Sequence, residues 1–165
     1  MIRTRLRRRG DSGAAAVEFA LVMPLLLAVL SGILDYGFYF NNSYSTKQGA
    51  REAARQGVVQ TAAQGSCASQ SGYMAQLVCV ADANVAPLAG TPYSKAFYTT
   101  WATGQSLTVC TMVETKAVVG LVPYPSGGWA TSRTDMSIEV ADPAPEGPAA
   151  SADTLPAGAS WAWCS

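Results

Sequence analysis

The chain has 165 residues, room for one ordinary domain and little more, with 49% apolar and only 13% charged side chains. That composition excludes a charge-rich disordered tail and disfavours a broadly basic nucleic-acid binder, so no nucleic-acid partner is expected. Histidine is absent, which removes Ser-His and Cys-His catalysis and imidazole metal ligands together. No Ser-Lys pair, carboxylate pair or phosphate-binding glycine loop stands out either, so no enzyme activity, catalytic residue, metal or cofactor is expected.

Basic and acidic residues balance at 11 each, but Arg3, Arg5, Arg7, Arg8 and Arg9 crowd the start of the chain. Behind them, residues 14–40 carry only two charges, Glu18 and Asp35. The 16 uncharged residues 19–34 cover roughly 25 Å as a helix, slightly less than the ~30 Å hydrocarbon slab. Flanking alanines and Tyr36, Phe38, Tyr39 and Phe40 complete a span, with positive charge at its inner end and aromatic rings at its outer end. The expected localisation is therefore a single-pass membrane protein with a cytoplasmic N-terminus and an extracytoplasmic C-terminal domain. Pro24 predicts a kink rather than a break.

A cleavable secretory signal would need small residues after the apolar core. Here the core runs into the bulky Asp35-Tyr36-Gly37-Phe38-Tyr39-Phe40, whereas Ala14-Ala15-Ala16 precede it. A twin-arginine signal is disfavoured because Arg8-Arg9 is followed by Gly-Asp-Ser-Gly. An uncleaved single-pass envelope protein, binding a partner through its exported domain, stays open as an alternative.

The junction Gly13-Ala14-Ala15-Ala16-Val17-Glu18-Phe19-Ala20-Leu21-Val22-Met23-Pro24 resembles the processing motif of type IV prepilins. More narrowly it resembles the start of TadE/TadF-like pseudopilins, the minor pilins of tight-adherence pili. The resemblance implies a basic cytoplasmic leader, residues 1–13, cut after Gly13 by a prepilin peptidase to leave Ala14 as the new N-terminus. It also implies that Glu18 and Phe19 act in assembly, Glu18 neutralising the N-terminal ammonium of a neighbouring subunit. A carboxylate near a helix N-terminus is favoured on physical grounds alone, by about 0.3–1 kcal/mol. The plainer reading is that Glu18 marks the inner membrane interface, where an acid costs far less than at the bilayer centre. Phe19 in place of a tyrosine, and the long sequence beyond the span, point to the pseudopilin branch rather than to major pilins. Implied partners are the prepilin peptidase, other Tad pilins or pseudopilins, the inner-membrane assembly platform and the lipid bilayer. The implied role is assembly or initiation of a Tad-type pilus for adhesion.

Residues 41–60 turn polar but keep helical spacing, predicting a stalk that continues the membrane helix. Lys47, Arg51 and Arg55 form a basic stripe, and Glu52 is placed to pair with Arg55. Gly49, Ala53 and Gly57 repeat on another face, with Ala50, Ala54 and Val58 beside them. That face lets another backbone approach closely, either the protein's own sheet or a neighbouring subunit. A solvent-exposed stalk is the alternative. The Ala-Arg-Glu-Ala-Ala-Arg stretch at residues 50–55 is also similar to the stalk of TadE-like proteins.

Residues 61–165 read as an exported α+β domain with an antiparallel sheet, pilin-like in plan. Tyr73, Leu77, Val80 and Ala81 suggest a short amphipathic helix. Leu107, Val109, Thr111 and Val113 alternate as in a strand, with residues 118–122 as an extension. Pro123, Pro125, Gly127 and Gly128 mark a turn into a second alternating run at residues 133–140, with Met136, Ile138 and Val140 on one face. The simplest arrangement is a hairpin packed on the stalk. Residues 142–160 are rich in Pro and Ala and read as a loop.

Cys67, Cys79, Cys110 and Cys164 all follow the span, and an even number of cysteines in an exported domain reads as disulfides. Of three pairings, Cys67–Cys79 with Cys110–Cys164 is favoured. The first closes a short loop around the small helix, and the second fastens the far end of the chain to a strand. Each is worth about 3 kcal/mol on the chain-entropy model. The tip Trp161-Ala162-Trp163 then packs on the domain, the alternative being an exposed patch for subunit contact or adhesion. Removal of residues 1–13 would leave six cations against ten anions, a mildly acidic mature protein.

Overall fold

The computed structural model describes residues 11–61, 63–88, 90–120 and 123–165, with side chains from Gly13 onward. Arg3, Arg5, Arg7, Arg8 and Arg9 therefore lie outside the described residues. The chain begins in one helix, α1 (Asp11–Val58), unbroken at Pro24. At 1.5 Å per residue it is about 70 Å long, so membrane-type and stalk sequences form one continuous rod. Its last carbonyls are satisfied from outside: the amides of Glu139 and Val140 donate to the Val58 carbonyl at 3.0 and 3.1 Å. The Tyr73 hydroxyl donates to the Gly57 carbonyl at 3.1 Å. Burial pushes the Tyr73 phenol up to about 12, so it remains a protonated donor.

The rest of the chain forms α2 (Tyr73–Asn84) and four strands, β1 (Pro92–Tyr98), β2 (Ser106–Glu114), β3 (Trp129–Ser137) and β4 (Ala150–Ala152). The strands make one antiparallel sheet in the order β3-β2-β1-β4. Both helices pack against it: Ala50, Ala53, Ala54 and Val58 of α1 and Met74, Leu77 and Ala81 of α2 meet Ala96, Leu107 and Val109 in the core. The protein is α+β, a long apolar N-terminal helix followed by a small sheet domain.

The small residues of α1 let this core close. A Cβ placed on Gly49 would come within 2.7 Å of the Ala81 carbonyl, and one on Gly57 within 2.9 Å of Leu77 Cδ1. Ala53 is fully buried between them in sequence. This face of α1 is therefore occupied by the chain's own α2 and sheet, and is not a bare stalk.

Four strand expectations need correction. β1, a central strand, lies in a stretch rich in small polar residues and was not expected; its alternation Ser94, Ala96 inward is too small-sided to read as apolar. β4 sits inside the Pro/Ala-rich segment expected to be a loop, held to β1 by three residue pairs. The second alternating run starts earlier, at Trp129, and ends at Ser137; Ile138 is buried beyond it, but Val140 is exposed, its amide capping α1. The proposed extension of β2 also fails: β2 ends at Glu114, and residues 118–120 are irregular, while Leu121 and Val122 lie outside the described residues.

Residues 107–113 of β2 are buried on both sides, because the C-terminal segment covers the sheet face opposite the helices. Cys110 is bonded to Cys164 there, and Cys67 is bonded to Cys79 beside α2. Arg133 of β3 pairs with Asp135 and also donates to the Ser165 carbonyl. Trp161 and Trp163 are half-buried on this segment, a state between a covered tip and a free one.

The two glycine environments give opposite expectations. Gly57→Ala should destabilise the domain by about 1–3 kcal/mol through overpacking. Gly37→Ala, whose Cβ meets nothing within 4 Å, should be neutral or stabilising because alanine favours a helix. Thermal unfolding of the full chain in detergent, followed by circular dichroism, measures both.

Candidate functional site: the exposed helix and its junction with the domain

Residues 13–30 of α1 are exposed on every side. Leu21, Leu25 and Phe19 are 75%, 68% and 61% accessible, and the helix is long and apolar enough to cross a membrane. Such a surface needs lipid or other chains around it. Gly13 and Ala14 lie in the first turn, where helix amides have no intrahelical partner and the backbone opens most readily. Glu18 stands one turn further on, exposed, with Phe19 beside it. The predicted processing and assembly residues are thus together on the free part of the rod. Gly49, Ala53 and Gly57 lie far along it, inside the domain.

From Asp35 onward α1 acquires a polar seam. Asp35 is fully excluded from solvent, and its carboxylate accepts three consecutive backbone amides, Val118 at 2.9 Å, Val119 at 3.2 Å and Gly120 at 3.0 Å. The Tyr124 hydroxyl donates to the Asp35 carbonyl at 2.9 Å, and the Tyr124 ring stacks on Tyr39 at 5.6 Å. Two turns along, Asn42 donates to Thr115 Oγ1 at 2.9 Å and accepts the Leu88 amide at 3.1 Å. Thr46 follows one turn later, its carbonyl accepting the Thr111 hydroxyl at 2.7 Å.

The contacts of Asp35, Tyr124 and Thr115 clamp the long β2–β3 connection onto the helix beside the end of its fully exposed stretch. The connection is closed at its base by the Thr115 amide donating to the Gly128 carbonyl at 2.8 Å. Gly128 has φ +89°, and a Cβ there would come within 2.7 Å of the Thr115 carbonyl, so only glycine suits this corner. Sequence reasoning used Asp35 merely as a boundary charge. The spacing Asp35, Asn42, Thr46, leading into Gly49 and Ala53, is the signal that one helix face stays buried throughout.

Residues 13–55 match the family model for TadE-like protein. Over that segment the chain is similar to TadE-like proteins. The match covers about a quarter of the chain and takes in Gly13, Glu18, Asp35, Asn42, Gly49 and Ala53, while the sheet domain lies beyond it. No curated protein and no solved structure matches the chain.

A carboxyl pair hidden from sequence lies outside the TadE-like segment. The Ser94 hydroxyl donates to Asp82 Oδ1 at 2.6 Å and the Ser94 amide to Asp153 Oδ2 at 2.7 Å. Burial, and then Asp153 alongside, push Asp82 up to about 7. Among the described residues no group of three or more His, Cys, Asp or Glu side chains converges to hold a metal.

Removing the acceptor in Asp35→Ala should raise amide exchange at Val118, Val119 and Gly120 by about tenfold or more, since each bond to a charged acceptor is worth about 1.5–3 kcal/mol. Hydrogen exchange read by mass spectrometry checks this. Asp82 sets a pH dependence of known sign. Its folded value is raised, so the native state keeps a proton that the unfolded chain has released, and stability falls as pH rises from about 4 to about 7. Asp135 and Glu52 are held below their ordinary values by Arg133 and Arg55, and their contributions are lost only in acid. Tm of the full chain should therefore decline between pH 5 and pH 8, and Asp82→Asn should flatten that decline.

Proposed function

We propose that the chain is a membrane-anchored prepilin-like subunit, processed after Gly13 by a prepilin peptidase and acting in assembly or initiation of a Tad-type pilus for adhesion. The reading rests on one coincidence: the Gly13/Ala14 junction and Glu18 stand in prepilin register on the exposed start of a TadE-like helix. The leader arginines keep residues 1–13 in the cytoplasm and place the sheet domain outside. Both disulfides suit an oxidising compartment beyond the membrane.

Extraction from the bilayer leaves residues 14–30 needing apolar cover, which neighbouring pilins or pseudopilins supply in a fibre. Glu18 then offsets the ammonium of an adjacent Ala14, because an unpaired carboxylate inside a bundle of apolar helices is costly. The assembly platform acts as the partner that receives the processed subunit. The sheet domain displays its surface outward.

N-terminal sequencing of protein from cells with an active prepilin peptidase should begin at Ala14; recovery of only the uncut chain would sink the proposal and favour a permanently anchored envelope protein. Glu18→Ala should leave cleavage intact and reduce incorporation into sheared pilus fractions. Equal incorporation would remove the role given to Glu18.

A further inference from the structure

The tip of the β2–β3 connection inverts the usual arrangement of a surface loop. Its side chains are apolar and outward, with Val118 at 66% and Val119 at 47% accessibility, while its amides are sealed against the buried Asp35 carboxylate. In water, solvent would satisfy the three amides in any case, so their bonds to Asp35 stabilise the loop but are not needed to solvate its backbone. At the boundary of the hydrocarbon they are needed, since irregular backbone is excluded from lipid unless the protein covers its polar groups.

The height of the loop on the rod agrees. Asp35 lies 17 residues beyond Glu18, about 25 Å along the helix and so within the ~30 Å hydrocarbon thickness, near its outer edge. Exposed Ile33, Leu34 and Phe40 continue the same apolar surface on α1. Around the loop stand the side chains that membrane–water boundaries favour: Tyr36, whose hydroxyl donates to the Pro123 carbonyl at 3.3 Å, Tyr39, Tyr124 and the exposed Lys116.

We infer that Val118 and Val119 form a second membrane contact, dipping into the outer leaflet beside α1 while Lys116 reaches its phosphate headgroups. Asp35 is the latch that makes this possible, supplying the backbone with the acceptors that lipid lacks. The domain is already packed rigidly on the helix, so this second contact fixes the orientation of the whole subunit relative to the membrane before assembly. The inference rests on the membrane-anchored reading above.

The test uses the full chain in vesicles of phosphatidylethanolamine and phosphatidylglycerol, with a genetically encoded nitroxide amino acid at position 33, 118 or 103, so that no cysteine is added. Collision with oxygen reports lipid, and collision with a nickel chelate reports water. Position 118 should resemble position 33, with an oxygen-to-nickel ratio several-fold above that at Thr103, which lies in the β1–β2 turn. A water-like ratio at 118 with a lipid-like ratio at 33 would overturn the loop contact and leave the anchor standing. Water-like ratios at both would overturn the anchor too. Immobilisation at 118 with access to neither reagent would mean protein–protein contact and would also overturn it. Circular dichroism of each labelled protein confirms that the fold is retained.

Discussion

At Gly49 and Gly57 α1 presents bare backbone, and α2 and the sheet close directly onto it. Most of the domain follows from that approach. With the helix axis so near, Leu77 and Leu107 fill the space that side chains of α1 would have taken, and Ala50, Ala53 and Ala54 are buried completely. The helix is thus half of the domain's core as well as its anchor. A rod that only carried the domain would permit rotation and fraying at its end; this one ends under Glu139, Val140 and Tyr73, which take up its terminal carbonyls.

Further down, the same face changes chemistry without changing direction. Thr46, Asn42 and Asp35 hold the sheet and its connections by hydrogen bonds instead of apolar contact. The gradation has a physical sense. Near the core, two helices and a sheet can exclude water by packing alone. Toward the exposed apolar part of α1 only an irregular connection remains to pack, and its free amides need acceptors. Asp35 supplies them to three residues at once. Among the described residues, 13–30 are exposed on every side, as the proposed exchange of lipid for neighbouring subunits requires.

The far face of the sheet is closed by other means. The C-terminal segment brings Cys164 to Cys110, adds β4 to the sheet edge and places Asp153 beside Asp82. A domain of this size gains from such fastening, since its core alone is small. The basic stripe Lys47, Arg51 and Arg55 stays exposed, with Arg55 paired to Glu52 at 2.7 Å. That leaves the outward side of the stalk charged while the inward side is bare.

How much of this was legible divides by range. The long helix, its apolar and small-residue faces, the short second helix and the existence of β2 and β3 are local patterns, with periods of 3.6 and 2 written into neighbouring residues. The junction at Gly13 and Glu18 is likewise a short motif. β1 escaped because Ser94 and Ala96 face inward with side chains too small to mark it, and β4 because a three-residue edge strand has no period to detect. The meaning of Asp35 and of the Asp82–Asp153 pair depends on partners 83 or more residues away for the first, and on Ser94 lying between α2 and β4 for the second. Sequence by itself determined that this protein is an apolar rod with a disulfide-bearing α+β domain attached. Tertiary structure alone decided which side of the rod is core, and which buried acid ties the domain to it, because a hydrogen bond between distant segments leaves no periodic trace in either.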